Sequence, residues 1–388
     1  RPATVNLPVE VGSPPGTDTN SLNVTDLELL SLKDGFASIV FGRADGFGHA
    51  LAGQGSVKLG VVRADQSNSF ADPLYVYGSS IEVADYTAVN RTFQTGSNIT
   101  LDAVGDITIK NTFLTTADLV LYSEAGQVRQ VDDGVDAVSR EALTAANLTV
   151  RADDGINLGF LQVGTVVTAV NKDTGDLVLN ELNTGGDIRV LDVRQTKVAG
   201  TGRITVTAEA GNIDIDTAGT GIATVGTGNI VVTAAGTLKA ITVERPVTGT
   251  TGNINLTATG TITTSAVVST SGAGNISVTS SSAGIVQGAD VTTAGGTVTY
   301  NAAGGIAQNA NISSGGGVIG LTAGTNLVMQ DGVTTTSAGA AGTIGLTAGT
   351  NVLLSILSTG GTVSVTATAG SITDNLTGEG ANILGGTT

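Results

Sequence analysis

The sequence predicts an all-β chain: a right-handed parallel β-helix of triangular cross-section, about 19–26 residues per coil, with a small aromatic-rich capping segment at its amino end. Three observations carry this. A sentence of the form Gly-x-Ile-x-Val-Thr-Ala recurs eight times, as in Gly228-Asn-Ile-Val-Val-Thr-Ala234 and Gly252-Asn-Ile-Asn-Leu-Thr-Ala258. Its first apolar anchors are Ile204, Ile230, Ile254, Ile276, Val298, Ile319, Ile344 and Val363, in steps of 26, 24, 22, 22, 21, 25 and 19 residues. Each period carries further short alternating apolar runs bounded by Gly, Asn and Ser, which is the pattern of strands.

Taken in chain order, residues 1–20 contain Pro2, Pro8, Pro14 and Pro15 and read as an extended lead-in. Residues 21–96 read as a capping module, because eight of the twelve aromatic residues precede Gly96. Thr25-Asp-Leu-Glu28 is a capping box that opens the one helix expected, Asp26 to Lys33. Phe36 to Phe41 then alternates as a strand, and Gly42 to Gly46 turns it. Residues 97–201 carry the same strand pattern with looser spacing, as in Ser97-Asn-Ile-Thr-Leu-Asp-Ala103, and read as irregular coils with side loops, the longest being Gln127 to Ala142.

Residues 202–388 are the regular coils. After each first anchor a second is expected at Ile213, Leu238, Ile262, Ile285, Ile306, Leu327, Val352 and Ile372, and a third at Val267, Val291, Ile312 and Val333. Three strands per coil follow, stacked at the ordinary inter-strand spacing of about 4.8 Å. Glu244 to Thr251 and Thr334 to Ala341 are expected to lengthen corners. Asn212, Asn229, Asn253 and Asn275 are expected to stack their amides along one corner. A β-sandwich array is the other architecture with short strands and Gly turns. It ranks lower, because Tyr300 is the single aromatic after Ile204.

Composition narrows the function. Acidic residues outnumber basic ones 33 to 17, a net charge of -16, and only Lys239 and Arg245 follow Arg203, so nucleic acid and anionic membrane are poor partners. No cysteine is present, which removes disulfides and thiol chemistry. No apolar run approaches the roughly 20 residues of a membrane span. The Thr/Gly/Asn richness with few lysines favours the exterior of a cell. The chain opens on Arg1-Pro2 without Met or signal peptide, and is expected to be processed or part of a longer one.

In the Gly-Asn-Ile-x-Leu-Thr-Ala copies, and in Asp34-Gly-Phe-Ala-Ser-Ile-Val-Phe-Gly-Arg-Ala-Asp-Gly46, the sequence resembles the filamentous-haemagglutinin-like adhesins and giant repeat-bearing surface proteins of Gram-negative bacteria. The resemblance covers the coils from Ser97 onward and implies a secreted β-helical rod, used as a stalk or adhesive surface at the bacterial cell surface. It supplies no catalytic residue, and the secretion module of two-partner export is not evident.

Neither a catalytic constellation nor a resident cofactor is predicted. His49, the single histidine, has no partner in sequence and reads as a surface turn residue. Calcium is the ligand best matched, since it takes carboxylate and backbone oxygens from loops. Its candidate residues are Asp132, Asp133 and Asp136, then Asp153 and Asp154, then Asp173 and Asp176. None of these has the spacing of an established calcium loop. The function expected is a structural or adhesive filament segment with surface glycans as possible partners, self-associating head to tail through an open last coil covered by Thr4 to Leu7 or the Phe-rich cap. The alternatives are a polysaccharide lyase or hydrolase and a carbohydrate-binding module; an ice- or mineral-binding face fits less well, because the Thr spacing is irregular.

Overall fold

The computed structural model describes residues 6–13, 20–29, 31–32, 34–60, 71–84, 93–110, 112–131, 142–182, 186–378 and 380–385. The chain divides into two compact units, Arg1–Gly185 and Gly186–Thr388, and each is a parallel β-helix built from three strand-bearing faces.

In the second unit the first face stacks five-residue strands such as Ile204–Ala208, Ile230–Ala234 and Ile254–Ala258, with identical residues in register: Ile204 on Ile230 on Ile254, and Ala208 on Ala234 on Ala258. Alternation sends Ile, Val or Leu inward and Thr, Ser or Asn outward. The closing Ala is inward too, at the corner where only a small side chain fits. All eight expected first anchors occupy one column, Ile204 to Val363. Each fully buried Ile or Val in it is worth roughly 1.5–3 kcal/mol of transfer free energy.

The other two faces carry strands of two to four residues, and there the register departs from the expected anchors. Leu238 is 65 % exposed with φ 55°; the second column instead takes Ile241, between Ile213 and Ile262. A turn closed by the Lys239 amide on the Gly236 carbonyl adds residues to that corner and carries Leu238 outward. In the third column Val268 replaces the expected Val267, which faces solvent, and Thr335 replaces Val333. Glu244 to Thr251 and Thr334 to Ala341 are not corner extensions: each contains a third-face strand, Val247–Gly249 and Thr334–Ser337.

Hydroxyls close the corner between third and first faces. Thr270, Thr293, Ser314, Ser337 and Thr359 are buried and donate to glycine carbonyls, as Thr293 Oγ1 does to Gly296 at 2.9 Å. The asparagine ladder also differs from expectation. The Oδ1 of Asn229 accepts the amide of Asn253 (2.8 Å), that of Asn253 the amide of Asn275 (2.9 Å), and that of Asn275 the amide of Thr297 (2.8 Å). Asn212 belongs to a different corner, between Asp187 and Ala240. The bonds therefore run from backbone amide to side-chain oxygen, an acceptor that a carboxylate supplies as well as a carboxamide.

In the first unit the parallel ladders run through the segments read as lead-in and cap. Val9–Ser13 pairs with Leu22–Thr25 and Val57–Leu59, and Val57–Leu59 with Ile81–Val83. Ile39–Phe41 pairs with Leu74–Gly78, and that strand with Ile99–Ala103. Among the described residues the aromatics build no separate core: Phe36 is 53 % and Phe47 91 % exposed, and in Leu74-Tyr75-Val76-Tyr77 the tyrosines alternate with inward Leu74 and Val76, Tyr77 itself being buried. The capping box forms, with the Thr25 amide donating to Glu28 at 2.8 Å, but its helix is only Asp26–Leu29, tightened after that by amides of Ser31 and Leu32 three residues on. Thr4, Val5, Phe70, Tyr86 and residues 132–141 lie outside the described residues.

Candidate functional site

Polar side chains converge on the first face of the first unit, beneath the hairpin 42–54. Gly42 starts the hairpin at φ 88°, and a Cβ there would strike the Tyr77 carbonyl, so only glycine lets the chain leave so close to the coil. An antiparallel bridge joins Ala44 to Ala50. Inside the turn Asp45 Oδ1 accepts the amides of His49 (3.0 Å) and Phe47 (2.7 Å), and these bonds hold the Asp45 carboxyl below its ordinary pKa.

Asp102 anchors the hairpin to the coil. It sits outward on Ile99–Ala103, in register between Tyr77 and Tyr122, yet is only 3 % exposed because the hairpin covers it. One carboxylate oxygen accepts the Ala50 amide at 2.9 Å and the other lies 3.0 Å from His49 Nδ1. Burial raises the Asp102 pKa against the pull of His49 and Ala50. The imidazole stacks on Tyr122, 4.7 Å between centroids and 28° between planes. Lys172 Nζ lies 5.3 Å from the centre of the Tyr122 ring and 3.3 Å from Asp153. His49 is thus no lone turn residue. Its partner lies 53 residues away, a separation at which no local pattern exposes it.

Among the described residues two triads bring ligand atoms within 4.8 Å of one another: His49, Asp102 and Glu124 in the first unit, and Asp214, Asp216 and Glu244 in the second. An imidazole with two carboxylates is a donor set for borderline divalent ions rather than calcium. Both Asp102 oxygens are already engaged in holding the hairpin. In the second triad Arg189 takes up Asp216 at 2.5 Å, and burial, then Glu244, raises the Asp214 pKa.

The calcium candidates fall elsewhere. Asp132, Asp133 and Asp136 lie outside the described residues, and neither triad contains Asp153, Asp154, Asp173 or Asp176. Those four occupy one corner in successive coils, where they organise backbone. The Asp173 amide donates to the Asp153 carbonyl (2.8 Å), Thr174 Oγ1 donates to Asp154 (2.8 Å), and the Asp176 carbonyl accepts the Ile156 amide (2.8 Å). Buried Asn171 ties this turn together through Gly155, Thr174 and Gly175. Asp154 and Asp176, with Arg129, line an open groove of about 460 Å³.

The class these features define is a parallel β-helix repeat protein with a hairpin-covered polar patch on one flank. No protein-family model matches the chain, nor does any curated protein or solved structure. Among the described residues no helix is long and apolar enough to cross a membrane.

Proposed function

We propose that the chain is an extracellular structural and adhesive protein of a bacterial surface, a β-helical segment whose stacked coils supply reach and whose first unit carries a contact face. The observation that supports this is how the second unit uses its polar groups. Inward hydroxyls close corners, corner Asn and Asp accept backbone amides, Arg189 neutralises Asp216, and the outward rows are Thr, Ser and Asn. Those groups serve coil stacking. The resemblance to filamentous-haemagglutinin-like adhesins points the same way, and self-association of coils is part of this reading.

The reading is non-enzymatic. Among the described residues no hydroxyl is hydrogen-bonded to His49, so the His49–Asp102 pair lacks the nucleophile that triad-type acyl transfer would use. One observation favours glycans as the contacted partner: half-buried Tyr75 and Tyr122 and the His49 ring lie on one face beside Lys172, and Tyr75 and Tyr77 are nearly parallel, 9° apart. The test is adhesion of beads carrying the full chain to glycan arrays and bacterial or host cells. Tyr75→Ala with Tyr122→Ala is expected to abolish retention. Unchanged retention removes the contact face, and turnover of an acidic polysaccharide by the wild type removes the non-enzymatic reading.

A further inference from the structure

The base of the same hairpin holds a second feature, independent of the aromatic patch apart from Tyr77. A cavity of about 250 Å³ opens beside Val9, Leu22, Phe41, Val57 and Tyr77, with Arg43 and Gln54 as its polar lining. Gln54 is only 7 % exposed. Its Oε1 accepts the Arg43 amide at 2.9 Å, which fixes the orientation of the carboxamide, since the flipped form would set two donors against each other. Its Nε2 is buried without a hydrogen-bond partner. Such an orphan donor costs about 1–3 kcal/mol and is seldom left in a native fold. Among the described residues no carboxylate pairs with the Arg43 guanidinium.

We propose that this cavity binds a small organic carboxylate with an apolar body. The anion takes the planar fork of Arg43. One carboxylate oxygen also accepts the orphan Gln54 Nε2–H, and the hydrocarbon part packs on the Val9, Leu22, Phe41 and Val57 wall. The volume lies below the roughly 300–1,000 Å³ of drug-sized pockets, which fits a ring or short chain of benzoate or hexanoate size. The Asp102–His49 latch acts on this site from outside, by holding the hairpin that presents Arg43 and Gln54.

Titration of the full chain with benzoate and hexanoate, against benzamide and hexanamide, followed by ligand-observed NMR and calorimetry, tests this directly. The acids are expected to saturate, with the neutral amides at least about tenfold weaker. Arg43→Met keeps the alkyl stem and is expected to weaken the acids at least about tenfold while leaving the amides unchanged. Gln54→Glu keeps the acceptor for the Arg43 amide, places a carboxylate where the donor was, and is expected to abolish acid binding. Failure of both acids to bind wild type at about 10 mM overturns the proposal. So does equal affinity for acid and amide, a comparison that needs no variant. Acid binding by a folded Arg43→Met protein at wild-type strength overturns it as well.

Discussion

Glu181 ends the strand Leu177–Glu181 with its side chain inside the first unit, opposite Leu161 and wholly shielded from solvent. Both its oxygens face one donor, the Val163 amide, at 3.2 and 3.1 Å. Burial outweighs that bond and raises its pKa from 4.5 to about 7. In the unfolded chain the carboxyl ionises near its ordinary value, so between the two values the folded state holds a proton that the unfolded state has released. The contribution to stability is therefore complete below the unfolded pKa and is lost as pH rises through the folded one. The gap between the two values corresponds to about 3 kcal/mol, and above the folded pKa the loss stays constant. Glu181→Gln keeps the shape and the acceptor but does not ionise. Urea unfolding of both proteins from about pH 4 to pH 9 isolates this residue, because contributions from all other groups cancel in the difference. The variant is expected to match wild type at the acid end and to exceed it by up to about 3 kcal/mol at the alkaline end. A difference that stays flat with pH, or that grows toward acid, refutes the reasoning.

Substitutions at four further positions have defined outcomes. Tyr300→Phe removes a fully buried hydroxyl that has no partner, and is expected to raise the melting temperature, with about 1 kcal/mol recovered; a loss of stability would mean the hydroxyl is satisfied. Asn253→Ala deprives the Asn275 amide of its acceptor and is expected to cost about 1 kcal/mol in chemical unfolding, whereas Asn253→Asp retains the acceptor and should cost much less. Leu238→Asn at φ 55° is expected to gain roughly 0.5 kcal/mol, since asparagine tolerates the left-handed region and the exposed leucine forfeits little burial. Asp102→Ala releases both attachments of the hairpin, and limited proteolysis should then cut within residues 42–54 before the coils; an unchanged digestion pattern would show that the latch is idle.

The first face was legible because its strands are long enough to display the alternation of inward Ile, Val and Ala with outward Thr. The second and third faces expose two inward residues per strand, so an added corner residue moves the frame without trace. Leu238 satisfied the spacing, yet the turn at Gly236 had already shifted the column to Ile241. Thr335 was missed because a buried hydroxyl in an apolar column looks like an outward one; here it exchanges bonds with Gln308 across the core. The polar patch was illegible for a different reason. His49 meets Asp102 only once a loop folds back over the stacked coils, and the single hint is that Asp102 occupies an outward position where the regular copies carry threonine or asparagine. The outward positions of Tyr75 and Tyr77 could have been read from their alternation with Leu74 and Val76.

The corner ladders also change what the acidic composition means. In each of them the amide of a later coil donates to a side-chain oxygen of an earlier coil: Gln127 to Asp106, Asn212 to Asp187, Asn311 to Asp290, alongside the asparagine series. Aspartate and asparagine are equivalent in that position, and the bond from the Asn212 amide holds the Asp187 carboxyl below its ordinary pKa, so its charge serves the fold. A part of the net charge of -16 is therefore spent on backbone amides that would otherwise lack acceptors at the corners. Asp153-Asp154-Gly155 and Gly175-Asp176 then mark turns of the solenoid. The informative polar groups are those that stacking does not use, and in the first unit they include the buried amide of Gln54 and the guanidinium of Arg43 beside an apolar wall.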